Sequence, residues 1–420
     1  MFGTSLFALR LPTFLASAAV LWIFYLAAKR FAGAGWRPVF LGSAVVYLAS
    51  PLYGLFGTVA INDYLLVALV MGSGYCFICY FGGVEATGRG STRYLFAAAG
   101  LLGLAGITKY TAVFLALAVV ITILLRPKLR PLLFPWELYA AALVTLALQL
   151  PVLVWNAQNG FASLLYQGAK INGGGGFSGL SVNRMMNFII QCAVPISPLI
   201  LVPITARLIW TRQGTGFGRV GKTLAVSLFA VPSLTFLYVS NFAYVIWWWN
   251  LIAFVLVMPF AGRYIGRIGM ALHVAWGLLL NTFITISLAI VPLSPVLRYE
   301  TNLNYGHDEL ATLVREAQAT HGAPLLVANR YQTASQIAFA LDAPDVVAIA
   351  PTRDAFDDWF KPEAHLGEDA IVLAVHWDDT EYWKPYFASA TLLHEVTIHR
   401  FDQTLATYEL WLATDFAPPK

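Results

Sequence analysis

Acidic residues are almost missing from the first 298 positions of this 420-residue chain: Asp63, Glu85 and Glu137 stand alone there against 19 of the 26 Lys and Arg. Charged residues make up only 11% of the whole and hydrophobic residues 59%, far from the roughly 25% charge of soluble proteins, so a soluble globular enzyme is excluded and a polytopic membrane protein is indicated. Residues 299–420 hold the other 19 acids and 7 bases. This reversal divides the chain into a transmembrane domain, 1–298, and a soluble domain, 299–420. The soluble part is acidic, which excludes a nucleic-acid partner, since that would need a basic face. Cysteine is scarce, with Cys76 and Cys79 in one apolar run, Cys192 in another and none in the tail, so no disulfide framework is possible there. The C-x-x-C spacing of YCFICY lies mid-membrane without zinc-site partners and reads as small apolar packing. The tail also lacks a glycine-rich phosphate loop and a nucleophile elbow.

What is present is a series of apolar runs long enough to span a bilayer, at 12–28, 38–53, 63–82, 94–107, 110–125, 136–155, 185–209, 223–240, 245–262 and 268–291, giving ten spans. The fourth and fifth share the hinge ITKYT; one helix over 94–125 would run about 48 Å, against a hydrocarbon core of about 30 Å. With ten spans, fourteen Lys and Arg fall on one side, among them Arg126, Arg207 and Arg219, and five on the other: Arg10, Lys109, Lys170, Arg184 and Arg298. The excess marks the cytoplasmic face, which puts the tail, Asp63, the TKY hinge and the connection 156–183 with its GGGG run at 173–176 outside. In the tail, DELATLVREAQATHG and TASQIAFAL read as helices, and PLLVAN, VVAIA, AIVLAV, TLLHEVTI and ATYELWL as strands. The expected fold is therefore a multi-spanning α-helical membrane protein of about ten helices with a small C-terminal extracytoplasmic α/β domain.

Asp63 is the one acid on the expected outer face of the membrane part. It reads either as part of an Asn62–Asp63 helix cap or as a base, metal ligand or acceptor for a polar substrate. Lys109, a lone cation between two short spans, suits a lipid-borne phosphate; snorkelling, or an ion pair with Asp63, would also account for it. Arg10 in FALRLP and Arg184 after the long loop are further candidate phosphate ligands. Tyr110, Asn156 and Gln158, the last two from WNAQNGF, are candidate substrate contacts, although WNAQNGF also reads as turn chemistry. The run WWW at 247–249 reads as an aromatic belt or a stacking surface. His273 reads as a packed or hydrogen-bonded residue. His394 and His399, five apart on a strand pattern, project to opposite faces and do not form a joint metal site.

Five stretches in order, LFGTSLFALRLPTFL, ASPLYGLFGTVAINDYLL, GLAGITKYTAVFL, LPVLVWNAQNGFASLLYQ and NRYQTASQIAFAL, resemble bacterial glycosyltransferases of the GT-C superfamily, the branch of the protein O-mannosyltransferases and the lipid A aminoarabinose transferase. The resemblance implies an enzyme of the bacterial inner membrane that moves a sugar from a polyprenyl-phosphate carrier to a lipid or protein acceptor on the outer face. It carries a supporting acid onto Asp63 and the lysine of an S/T-K-Y/G segment onto Lys109; whether a divalent metal takes part is left open. The family's principal acid lies in a first outer loop before the FALRLP segment, and no residue of this sequence stands there. The expectation drawn from this gap is that an apolar span of about 20 residues and an Asp-bearing loop are encoded upstream of Met1. Two other readings are a polar-lipid flippase, which would call for inverted repeats, and a non-catalytic relative.

The topology has a direct test: single cysteines placed in 170–180 should react with a membrane-impermeant thiol reagent from outside, and those in 212–220 should not, whereas equal labelling would overturn the ten-span count.

Overall fold

The structure, a computed structural model, describes residues 5–172, 180–198, 207, 216–293, 304–351, 353–376 and 381–419. The GGGG run, the second half of the expected span 185–209 and the expected boundary at 298 lie outside the described residues. The chain forms two units, Ser5–Asn281 and Thr282–Lys420.

The first unit is helical. Helix α1 is Leu6–Ala32, α2 Trp36–Ala49, α3 Asp63–Thr87, α4 Thr92–Thr108, α5 Val113–Leu125, α6 Trp136–Leu148, α7 Leu150–Gln158, α8 Ala162–Asn172, α9 Val182–Ala193, α10 Gly216–Val239, α11 Met258–Tyr264 and α12 Arg267–Ala289, the last running on into the second unit. Among the described residues four helices are long and apolar enough to cross a membrane, those starting at Leu6, Asp63, Gly218 and Arg267, and α6 with α7 makes a fifth if their 47° bend is counted as one span. Thr92–Thr108 and Tyr110–Leu125 are shorter apolar helices. The run 245–262 is not one helix: a 3-10 segment, Trp247–Phe254, precedes α11. Its Trp247 and Trp249 pack against Phe56 and Phe236, so these indoles serve the interior more than a belt.

Helix α3 is the axis of this unit, buried along most of its length and packed against α1, α4 and α10. Its buried hydroxyls find carbonyls, as an apolar medium requires: Ser73 donates to Ala98 O at 2.8 Å and Tyr64 to Leu52 O. Near its far end the buried Glu85 accepts from Arg126, which follows α5, at 2.6 Å. Helices α2 and α11 approach until backbone meets backbone, because a Cβ on Gly262 would lie 2.1 Å from Val39 O. Such small-residue contacts are the usual means of helix association in lipid. Ser43 closes this contact by donating to Pro259 O and accepting from Gly262 N, at 3.1 and 2.9 Å. His273 reaches Val46 O at 2.9 Å through Nε2, while among the described residues its buried Nδ1 has no partner.

Helix α4 ends at Thr108 because Lys109 is extended, φ −163° and ψ 138°. Thr145 donates to Ala99 O, Gln149 to Gly103 O and Asn156 to Tyr110 Oη. Partners that ascend together along both segments make α4 and α6 parallel, so α5 is the return stroke between them.

In the second unit, helices α13, His307–His321, and α14, Tyr331–Leu341, accompany a five-stranded sheet. Its strands are β1 Leu325–Ala328, β2 Val346–Ala348, β3 Ala370–Val375, β4 Phe387–Arg400 and β5 Gln403–Phe416. Their order is β2-β1-β3-β5-β4, parallel from β2 to β3 and antiparallel beyond. The strands β1 to β3 are buried throughout, as parallel strands covered on both faces should be. Asn329 joins β1 to β3 by accepting from Val375 N at 3.0 Å. Tyr408 is fully buried, and burial pushes its phenol up to about 12. Pairing of β4 with β5 is irregular between Leu392 and His394 and between Ile398 and His399, so strict alternation does not carry through from His394 to His399.

Gly306 turns the chain into α13 at φ +81°, with Ile398 2.6 Å from where a Cβ would lie; Gly322 ends that helix at φ +66° in open space. Gly322→Ala should therefore lower stability by about 1 kcal/mol through backbone strain alone. Gly306→Ala adds a steric clash and should cost about 2–4 kcal/mol, a difference read as a larger fall in melting temperature.

Candidate functional site

The local sequence places an acid and a base at two helix ends that meet. Asp63 is the first residue of α3 and Lys109 the residue after α4, positions at which each helix dipole favours the charge it carries. Lys109 Nζ lies 2.5 Å from Asp63 Oδ1, with the two side chains 25% and 8% exposed. Among the described residues Oδ2 has no hydrogen-bond partner. The carboxylate therefore faces an ammonium rather than the helix N–H groups, and Asn62, at the N-cap position, makes no side-chain cap either. Asn62 Nδ2 instead points to Thr108 O at 3.4 Å, so both halves of Asn62–Asp63 bind the end of α4.

Tyr110 follows Lys109, and its phenol accepts from Asn156 Nδ2 at 3.3 Å. Asn156 reaches it because α6 and α7 are bent at Gln149, where Pro151 removes the N–H that would bond Ala147 O. Asn156 is buried, its amide also donates to Val152 O at 2.9 Å, and its Oδ1 has no partner. Among the described residues this acceptor is orphaned, a state that costs about 1–3 kcal/mol. Asp63 with Lys109, and Tyr110 with Asn156, are thus two polar pairs that meet the chain at adjacent residues, Lys109 and Tyr110.

The other expected residues make no hydrogen bond to these four among the described residues. Arg184 Nη1 donates to Asn241 O and Phe242 O at 3.1 and 3.5 Å, and Ser181 N donates to Asn241 Oδ1 at 2.9 Å. This fastens the start of α9 to the turn after α10. Arg10 and Gln158 are exposed and, among the described residues, have no polar partner. No group of three or more His, Cys, Asp or Glu able to hold a metal occurs among the described residues. A cation at Asp63 would have to displace the Lys109 ammonium. Cys76, Cys79 and Cys192 are free thiols.

Sequence reasoning missed Thr145 and Gln149, although a signal was there: Thr145, Gln149 and Asn156 are spaced four and seven apart, one polar stripe on an apolar helix. Asn241 and the Glu85–Arg126 pair had no such signal.

Residues 1–155 match the family described as dolichyl-phosphate-mannose-protein mannosyltransferase. Two crystal structures of ArnT from Cupriavidus metallidurans share the fold, one bound to undecaprenyl phosphate and one in the apo state, with TM-scores of 0.58 and 0.57. Each is 12% identical and aligns over 98% of this chain, and over 85% and 84% of its own length respectively. No curated protein matches the chain in sequence. The resemblance to GT-C glycosyltransferases read from the five sequence stretches is borne out, and the architecture is that of an integral membrane protein with a small C-terminal sheet.

Removing one partner of a buried pair strands the other charge. Lys109→Met should accordingly destabilise the protein by about 3 kcal/mol, read as a lower melting temperature in detergent, and the double variant with Asp63→Asn should regain most of that loss.

Proposed function

We propose that the chain is a glycosyltransferase of the bacterial inner membrane that moves a sugar from a polyprenyl-phosphate carrier to a hydroxyl of a lipid or protein acceptor, with the two polar pairs and the C-terminal domain on the outer face. The observation that carries this reading is the contact between Asp63 and Lys109, an acid and a cation joined at a helix junction. The bound undecaprenyl phosphate of one ArnT structure supports a carrier of that class.

The chemistry asks for two things. An acceptor oxygen attacks the anomeric carbon, the bond from that carbon to the phosphate oxygen breaks, and the phosphate leaves with the electron pair and gains charge. Lys109 stabilises this developing charge, an effect that counts for most where water is excluded. Asp63 takes the acceptor's proton. The two roles are coupled in this reading: a donor phosphate that draws Lys109 to itself releases the carboxylate of Asp63, so the base becomes available when the donor is in place. Asn156 Oδ1, Tyr110 and Gln158 bind hydroxyls of the substrate. Arg10 and Arg184 supply further positive charge toward the phosphate, Arg184 through the guanidinium nitrogens that its carbonyl contacts leave over.

The test is transfer measured on the full chain with carrier-linked sugar donors. Asp63→Asn should lower kcat by about 100-fold or more, and Lys109→Ala should raise the apparent KM for the donor about tenfold, the loss of roughly one charged contact. Wild-type turnover in a folded Asp63→Asn variant would remove the base.

A further inference from the structure

Between α4 and the bent pair α6–α7 runs a ladder of three side-chain hydrogen bonds with a constant offset of 46 residues. Thr145 Oγ1 donates to Ala99 O at 3.0 Å, Gln149 Nε2 to Gly103 O at 2.6 Å and Asn156 Nδ2 to Tyr110 Oη at 3.3 Å. The middle rung is the shortest, and it sits at the bend. The segments are tightly packed there, since a Cβ on Gly103 would meet Leu148 at 2.6 Å and one on Gly106 would meet the Gln149 amide at 2.7 Å. From Gly103 the last turn of α4 leads directly to Lys109.

We propose that Gln149 is a positioning residue for the Lys109–Asp63 contact: its amide fixes the height and rotation of the last turn of α4 and so the point at which the ammonium meets the carboxylate. Three features make Gln149 more than a packing residue. It holds the α4 backbone on the near side of the break while Asn156 holds Tyr110 on the far side, so Lys109 is bracketed between two anchors on the same bent rod. The carbonyl it reaches already accepts the N–H of Ile107 within α4, so the amide is an added donor that ties one helix to the other. Gly106 leaves room for that amide, and Gly103 for the adjoining Leu148 side chain. The functional consequence rests on the reading of Lys109 as a ligand of the donor phosphate, but the structural consequence does not.

Both can be measured on the full-length protein in detergent. In Gln149→Leu, which keeps bulk and removes the amide, the acylation of Lys109 by a water-soluble active ester should rise about threefold relative to Lys29, as peptide mass spectrometry reads it, because the ion pair that shields the amine has loosened. Gly106→Ala should do the same with Gln149 still in place, by pressing on the amide; it serves if Gln149→Leu does not fold. Transfer should then show a raised donor KM, about tenfold, with kcat less affected, since small misplacement at a distance is costly. Unchanged Lys109 labelling in folded Gln149→Leu or Gly106→Ala protein would overturn the proposal. Raised labelling with an unchanged donor KM would uphold Gln149 as a positioning residue and discard the phosphate role of Lys109.

Discussion

A helix that stops inside or beside a bilayer leaves carbonyls that water cannot reach, and each needs a donor. The break at Lys109 is built around this constraint. Ala105 O receives Lys109 N and the freed Thr108 O receives Asn62 Nδ2, while Leu104 O and Gly103 O, already bonded within the helix, take added donors from Thr108 Oγ1 and Gln149 Nε2. The polar groups that gather at this junction are therefore present first to make the break possible. A reactive patch then needs little more than the charges that the two helix ends already favour.

The scarcity of acids takes on a definite form once α3 is seen whole. Its two acids, Asp63 and Glu85, are 22 positions apart, about 33 Å along a helix, close to the thickness of a hydrocarbon core. Each pairs with the base at one end of α5, Lys109 before it and Arg126 after it. Helices α3 and α5 thus run parallel, pinned at both ends by ion pairs where the medium changes from lipid toward water. The Glu85 pair is a plain fastening. The Asp63 pair has the same form, but its base is followed directly by Tyr110, which Asn156 holds, and that sets it apart.

Much of this was legible in the residues, for reasons that can be named. Hydrophobic runs reported the membrane helices because in lipid every spanning helix must be apolar, and the break at ITKYT followed from length alone. The tail's helices and strands emerged from periodicity, down to DELATLVREAQATHG and PLLVAN, because one face or both are buried in each. The junction was half legible: Asp63 and Lys109 stood out as solitary charges, and their pairing was one of the alternatives their isolation left open. What could not be read were contacts set by helix rotation and approach. Ser43 between Pro259 O and Gly262 N, Arg184 on the carbonyls after α10, and the 3-10 winding of Trp247–Phe254 within an apolar run all depend on neighbours far off in the chain. His394 and His399 show the same limit in the sheet, where an irregular pairing interrupts a period that sequence can only assume.

The fixed numerical offset between α4 and α6–α7 carries a consequence for how such a chain can change in length. One residue inserted or deleted within a helix turns everything beyond it by about 100°. A change of that kind inside 99–110 or 145–156 would rotate some rungs away from their partners while leaving others in place, and only a matching change in the facing interval would restore all three. A change in the connection 126–135 would alter the offset for every rung by the same amount and leave the faces matched. Length variation in this half of the molecule is thereby confined to one short turn, and the 46-residue spacing is a clock whose hands move together or not at all.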